Sequence, residues 1–205
     1  MFITFEGPEG CGKSTHIKLI QSFLEKKGKK VLLTREPGGT DFGQRIRQVL
    51  LDPKSKLEEN TEVYLFAADR AEHVAKIIKP ALLEGKVVIS DRYTDSTLAY
   101  QIAGRGLPED LIRYLNMVST EGVMPELTIL LDVSSEVGLK RAGQVGVADR
   151  FEQEKLSFHQ RIRQMYLNLA KAEPKRFRVI NTEEKEIEAV QKEIQQVVEE
   201  FLNEK

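Results

Sequence analysis

What the chain lacks narrows its function before any motif is read. Its 205 residues include a single cysteine, Cys11. One cysteine excludes an internal disulfide and suits a reducing compartment, so a cytoplasmic protein is expected. No apolar run approaches the roughly 20 residues that a membrane-spanning helix needs, and Met1 leads straight into a short apolar stretch without a signal-peptide pattern. Excess charge is missing too: 31 basic against 32 acidic residues leave a net charge of −1. That balance gives no electrostatic case for nucleic acid or an anionic membrane as partner. His16, His73 and His159 lie too far apart for metal-ligand spacing and read as surface or packing residues. With 40% hydrophobic residues and no internal repeat, a chain of this length is expected to fold as one domain around a full core.

What is present starts near the N-terminus. Gly7-Pro8-Glu9-Gly10-Cys11-Gly12-Lys13-Ser14 fits G-x-x-x-x-G-K-[ST] and follows the apolar run Phe2 to Phe5. A strand feeding such a loop is a phosphate site. Its glycines let consecutive backbone N–H groups curl around an anion, Lys13 adds charge at the β- and γ-phosphates, and Ser14 offers a hydroxyl to Mg²⁺. From Thr15 to Lys27, Ile17, Ile20 and Leu24 recur at helical spacing, which puts the phosphates at the positive end of a helix that Gly28 closes. Cys11, inside the loop, is either a thiol activated by that helix end or a small filler.

Apolar runs at Lys30–Thr34, Lys86–Ser90, Leu127–Val133 and Phe177–Ile180 read as further buried parallel strands. Helical patterns separate them, at Phe42–Leu51, Thr61–Leu83, Glu109–Glu121, Glu136–Ala142 behind a Ser134 cap, Gln153–Ala172 and Glu183–Asn203. Tyr93 to Gly106 reads as a helix start running into a glycine-containing loop. The implied fold is α/β, a five-stranded parallel sheet with helices on both faces.

Three stretches at strand ends or on one helix face carry further chemistry. Arg35-Glu36-Pro37-Gly38-Gly39-Thr40 is a loop at a strand's carboxyl end, where open α/β sheets bind ligands, and Arg35 is a phosphate contact or an ordinary exposed arginine. Phe66 and Arg70 stand four apart on one helix face, as a base clamp or as core. Asp91, ending an apolar strand downstream of the loop, is placed to hold Mg²⁺ through water, with Arg92 beside it where phosphate charge gathers. The glycine-containing segment around residues 141–151, bounded by Arg141 and Arg150, is a candidate lid. A guanine switch would need N/T-K-x-D and D-x-x-G sequences; neither occurs, and arginines around a second pocket favour a kinase.

Phe2-Ile3-Thr4-Phe5-Glu6-Gly7, Arg35 to Thr40, Leu65-Phe66-Ala67-Ala68-Asp69-Arg70, and Asp91-Arg92-Tyr93 followed by Ser96-Thr97-Leu98-Ala99-Tyr100-Gln101 closely resemble the bacterial thymidylate kinases, in the same order and spacing. The resemblance implies a P-loop nucleoside monophosphate kinase fold, usually a homodimer, moving a phosphoryl group from ATP·Mg²⁺ to dTMP to give dTDP and ADP. Residues Gly7 to Thr15 would bind ATP, with Lys13 at its phosphates and Ser14 and Asp91 at the metal. Glu9 would sit near the deoxyribose 3′-OH and the metal, and Arg92 would hold the dTMP phosphate facing ATP. Arg35 and Arg47 would add phosphate contacts. Phe66 would stack on thymine while Arg70 donates to its O4; Thr97 and Gln101 would hold the base edge, Ser96 would join the dTMP site, and Tyr100 would crowd a ribose 2′-OH. Some family members carry a catalytic arginine in the loop, where this chain has Gly10, and others within the lid, where 143–149 contains none. Arg150 is therefore expected at the transferring phosphate, its alternative being a structural salt bridge.

Overall fold

The apolar run at the N-terminus becomes β1 (Phe2–Glu6), the middle of the sheet. The computed structural model describes residues 1–144 and 148–203. α1 (Lys13–Lys26) follows, then β2 (Val31–Arg35), α2 (Asp41–Leu51), α3 (Glu59–His73), a π-helical turn at Val74–Ile78, α4 (Lys79–Leu83) and β3 (Val87–Asp91). α5 (Thr94–Thr97) runs on into a second π-helical stretch, Leu98–Gly104, before α6 (Glu109–Thr120), β4 (Leu127–Asp132), α7 (Ser135–Ala142), α8 (Leu156–Ala172), β5 (Phe177–Asn181) and α9 (Ile187–Asn203).

The strand order is β2-β3-β1-β4-β5, and each neighbouring pair is parallel. Side chains alternate across β1 as the pleat requires. Ile3 and Phe5 pack with Ile17, Ile20 and Leu24 of α1 and with Val190, Ile194 and Val198 of α9. Phe2 faces the other way, onto Val74, Ile78 and Tyr93. Buried Thr4 and Thr128 share a hydrogen bond of 2.8 Å on neighbouring strands. Because every strand points the same way, Glu6, Arg35 and Asp91 end at one edge, with Arg35 opposite Asp91 and Asp91 opposite Phe5. This edge of an open parallel sheet, where the chain order reverses, is the place for a ligand.

Several boundaries differ from the sequence expectation. β2 is an edge strand and only partly buried, since β3 pairs with it on one side alone. The expected helix Thr61–Leu83 begins at Glu59 and widens into π turns just before Pro80. Proline lacks the N–H for the carbonyl four residues back and its ring crowds that carbonyl, so the ladder opens there. The expected loop up to Gly106 is helical to Gly104. Its i→i+5 turns bring Ser96, Thr97, Tyr100 and Gln101, at positions i, i+1, i+4 and i+5, to one side. α8 starts at Leu156 rather than Gln153, because Asp149 Oδ1 accepts from the N–H groups of Phe151 (2.8 Å) and Glu152 (3.0 Å) and forms a turn first. α9 starts at Ile187 rather than Glu183, whose carboxylate accepts from Ser134 N at 2.9 Å and Ser134 Oγ at 2.7 Å. Ser134 precedes α7 as expected, but its hydroxyl is used in that bond and makes no cap. The three histidines are buried, none on the surface.

Candidate active site

A cavity of about 460 Å³ opens over the carboxyl edge of the sheet, walled by Glu9 to Gly12 of the loop, the start of α1, the Arg35–Pro37 loop, α3 and the π-helical stretch after α5. At its floor, Lys13 Nζ donates to the carbonyls of Gly7 and Pro8, each at 3.0 Å, and lies 3.3 Å from Cys11 Sγ. The ammonium is thereby centred in the ring of the loop. Ser14 and Thr15 are exposed at its rim, whereas Cys11 is buried in the core, the filler reading. Gly10 has φ +66°, and a Cβ there would come within 2.0 Å of the Gly138 carbonyl oxygen. The fit is mutual: a Cβ on Gly138 would meet Glu9 O at 2.3 Å. Position 10 thus has no room for any side chain, arginine included. Gly138→Ala is expected to push the loop outwards and lower kcat/KM for ATP at least about tenfold, with a smaller change for the acceptor, as measured by initial rates.

Arg92 joins this loop to the rest of the cavity. It has φ +69°, a left-handed conformation costing about 1–3 kcal/mol in a residue other than glycine. The turn aims its guanidinium back under the loop. NH1 donates to Gly7 O (3.2 Å), Ser96 Oγ (3.1 Å) and Tyr166 OH (3.0 Å); NH2 donates to Glu9 Oε1 at 2.8 Å. Tyr100 OH also donates to Glu9 Oε1, and Arg92 lies over the Tyr100 ring, 4.9 Å from its centre. Burial works against a charge on Glu9, but Arg92, Lys13 and the Tyr100 hydrogen bond outweigh it and draw its carboxyl down to about 2.

Behind Arg92 sits a second, fully buried carboxyl. Glu6 Oε2 accepts from Ser96 Oγ (2.6 Å) and Tyr166 OH (3.2 Å), and Oε1 accepts from Tyr93 N (2.8 Å). Burial and then the nearby Asp95 push Glu6 up to about 7, despite those bonds and Arg92. Between the ordinary carboxyl value and about 7, the folded state holds a proton that the unfolded chain releases, so this group's contribution to stability falls as pH rises through that window. Glu6→Gln is expected to flatten that fall, read as Tm against pH from 4.5 to 7.

The far wall is built for a planar group. Phe66 on α3 is half-buried, and Arg70, one turn on, is buried with its guanidinium fixed on all sides. Nε donates to Glu36 Oε2 (2.8 Å), NH1 to Asn116 Oδ1 (2.7 Å) and NH2 to Thr97 Oγ1 (2.9 Å); the Tyr93 ring lies 5.1 Å away. Glu36 Oε1 also meets His73 Nδ1 at 2.9 Å. Gln101 completes this wall. At the sheet edge, Arg47 donates to Pro37 O at 3.0 Å. Burial and then the neighbouring Arg35 lower the Arg47 guanidinium below its ordinary value. Two cations held together beside a cavity suit an anionic ligand. Asp91 lines the same region, and its Oδ1 is buried with no hydrogen-bond partner among the described residues.

The family model for thymidylate kinase matches residues 5–194. The chain is 52% identical over 188 residues to the thymidylate kinase of Geotalea daltonii, covering 88% of each chain. It is 47% identical over 204 residues to that of Symbiobacterium thermophilum, covering 98% of this chain and 94% of the relative. The chain belongs to the thymidylate kinase family. A crystal structure of thymidylate kinase from Ehrlichia chaffeensis superposes with a TM-score of 0.80 at 36% identity, covering 97% of this chain and 98% of that one.

The cavity gathers the expected loop residues from Glu9 to Thr15 together with Arg35, Arg47, Phe66, Arg70, Asp91, Arg92, Ser96, Thr97, Tyr100 and Gln101; Gly7 and Pro8 of the loop do not line it. Arg150 is placed elsewhere. Its NH1 is 2.6 Å from Glu62 Oε2, its Nε donates to Leu50 O at 2.8 Å, and it does not line the cavity. Glu62 is buried and charged, so it draws an arginine to itself, and the salt-bridge alternative describes this arrangement. Arg141 does line the cavity, and it donates to the carbonyls of Thr182 (3.1 Å) and Glu183 (2.7 Å). Of the expected lid, residues 145–147 lie outside the described residues.

Sequence reasoning missed Glu6, Glu36, Asn116, Gly138 and Tyr166. Two of these had a signal. Glu6 ends an otherwise apolar strand, and Gly138 sits inside a short helix, where glycine costs about 1 kcal/mol unless something approaches closely. Asn116 and Tyr166 lie within ordinary helical patterns and gave none.

Proposed function

We propose that ATP binds with its phosphates in the Gly7–Thr15 loop, and that dTMP binds with its phosphate at Arg92 and its base between Phe66 and Arg70. The carrying observation is Arg92, tied at once to Gly7 of the loop and to Glu9, standing between the phosphate loop and the planar wall. The activity is phosphoryl transfer, moving the γ-phosphoryl group of ATP to dTMP. The acceptor is a phosphate with a second pKa near ~6, already largely ionised at neutral pH, so no general base is needed. Lys13 and Arg92 neutralise charge spread over the transferring group, and Arg35 and Arg47 hold the acceptor phosphate in line. Glu9 orients Arg92 and lies towards the deoxyribose, and Tyr100 packs where a 2′-OH would stand. Arg70 has donors only; thymine O4 accepts, whereas the cytosine amino group would clash. Arg141, which lines the cavity, is the lid-flanking arginine best placed for the ATP side.

The unpartnered Asp91 Oδ1 near Ser14 fits a divalent cation with oxygen ligands, and we assign Mg²⁺ to these two residues, Asp91 through water. When bound with ATP, the ion neutralises β- and γ-phosphate charge. No helix among the described residues is long and apolar enough to cross a membrane. The chain works in the cytoplasm, where its nucleotide substrates are, as one kinase domain.

A homodimer is supported by exposed Tyr114, Met117 and Val118 on one face of α6, alongside Tyr64 on α3 and Phe42 and Val49 on α2, which packs on α3. Met117→Asp is expected to shift the sedimentation coefficient from dimer to monomer. The function is tested by initial-rate ADP formation from ATP·Mg²⁺ with dTMP, dUMP, dCMP, dGMP or AMP, and with no acceptor. Strong stimulation by dTMP supports it; equal rates with and without acceptor would overturn it.

A further inference from the structure

Gln101 is buried, and one end of its amide is already committed. Its Nε2 donates to Glu62 Oε1 at 2.6 Å. The carboxylate of Glu62, on α3, is itself buried, and both its oxygens are occupied as acceptors. Oε1 also accepts from Arg105 Nε at 3.1 Å; Oε2 accepts from Arg105 NH2 at 3.3 Å and lies 2.6 Å from Arg150 NH1. Arg105 is held in turn by Glu154 and by the rings of Phe151 and Phe158, 5.4 and 4.9 Å away. A glutamine amide has a donor end and an acceptor end of nearly equal shape, and an unconstrained one turns to suit its ligand. Here the opposite orientation would set Gln101 Oε1 against the Glu62 oxygens, acceptor against acceptor. The acceptor end, Oε1, has no hydrogen-bond partner among the described residues, and Gln101 lines the cavity beside Thr97.

We propose that Glu62, which touches no substrate atom, sets base specificity by fixing the polarity of the Gln101 amide. The inference rests on thymine occupying the wall formed by Phe66, Arg70 and Gln101. Thymine presents an N3–H donor next to its O4 acceptor; cytosine presents a bare N3 acceptor next to an amino donor. An acceptor held at Gln101 and a donor held at Arg70 match the first pair and oppose both atoms of the second. Arg70 is fixed by Glu36, Asn116 and Thr97, and Gln101 by Glu62, so neither reader turns over to accept cytosine. The arginines around Glu62 keep it supplied with donors from the side away from the base. Glu62 is a positioning residue, and its effect appears in the choice of base more than in the rate of transfer.

The test is kcat and KM for dTMP and dCMP with ATP in excess, for the wild type, Glu62→Gln, Gln101→Ala and the double variant. A glutamine at 62 accepts or donates and so permits both orientations of Gln101. Glu62→Gln is expected to lower the dTMP-to-dCMP ratio of kcat/KM by about tenfold or more, through KM, with kcat for dTMP within about twofold of wild type. Added to Gln101→Ala, it should change that ratio by less than about twofold, because its target is gone. An unchanged ratio in Glu62→Gln, or an equal fall in the Gln101→Ala background, overturns the inference. Should Gln101→Ala itself keep the wild-type ratio and KM, the base-pocket reading fails, and the Glu62 role with it. If Glu62→Gln is too unstable to assay, combining it with Arg105→Met removes an uncompensated cation, and Arg105→Met alone, expected to keep the ratio, is the reference.

Discussion

Arg92→Ala is expected to lower kcat about a thousandfold, with a much smaller rise in KM for ATP. The reason is positional. Arg92 is the guanidinium that reaches both the loop carbonyl of Gly7 and the Glu9 carboxylate, so on the proposed binding mode its loss removes a cation from the point where donor and acceptor phosphates meet. A lysine restores charge without the planar fork, and Arg92→Lys should recover only about tenfold of the loss. Glu9 supplies an independent readout. Its depressed carboxyl adds stability that is present above the unfolded value and is lost as pH falls towards about 2. With Arg92 gone, one of the charges opposing burial is removed and the Glu9 value rises. Acid unfolding of Arg92→Ala, followed by circular dichroism, should then begin at higher pH than in the wild type. A kcat within about tenfold of wild type would remove Arg92 from the transfer step.

The second large effect concerns stability and specificity together. Arg70→Leu leaves Glu36 buried without its principal cation, a loss of about 3–5 kcal/mol. In a chain of this size that lowers Tm by about 6–20 °C. Replacing Glu36 with leucine as well should regain part of the Tm, because the unpaired charge goes with it. It should not regain base preference: both variants are expected to discriminate poorly between dTMP and dCMP. Recovery of preference in the double variant would mean that Arg70 acts only as structure.

How much of this was legible in the sequence depends on how far apart the cooperating residues lie. The phosphate loop, the strand ends carrying Arg35 and Asp91, and the Phe66/Arg70 pair are local patterns, and the five-stranded sheet followed from short apolar runs between helices. Resemblance added the roles of Arg47, Ser96, Thr97, Tyr100 and Gln101, and the cavity gathers all five. The residues that hold these in place were not legible. Tyr166 and Glu6 are 160 positions apart, and Asn116 and Arg70 are 46 apart. Tyr166 and Asn116 sit in helical patterns that core packing explains equally well, and Glu6, although an acid at the end of an apolar strand, has this partner far along the chain. Arg150 shows the same limit from the other side. Proximity to the glycine-containing segment suggested a phosphate contact, but a buried acid on a distant helix, Glu62, takes the guanidinium. The π-helical turns at Leu98–Gly104 were likewise invisible to a search for 3.6-residue periodicity, although they are what turns four site residues to one side.

A crystal structure with dTMP and a non-hydrolysable ATP analogue would test the site assignment most directly. The expected result is the dTMP phosphate within hydrogen-bond distance of Arg92, thymine over Phe66, O4 at Arg70 and N3 at Gln101 Oε1. A dTMP bound with its base at the phosphate loop, or outside the cavity, would contradict it.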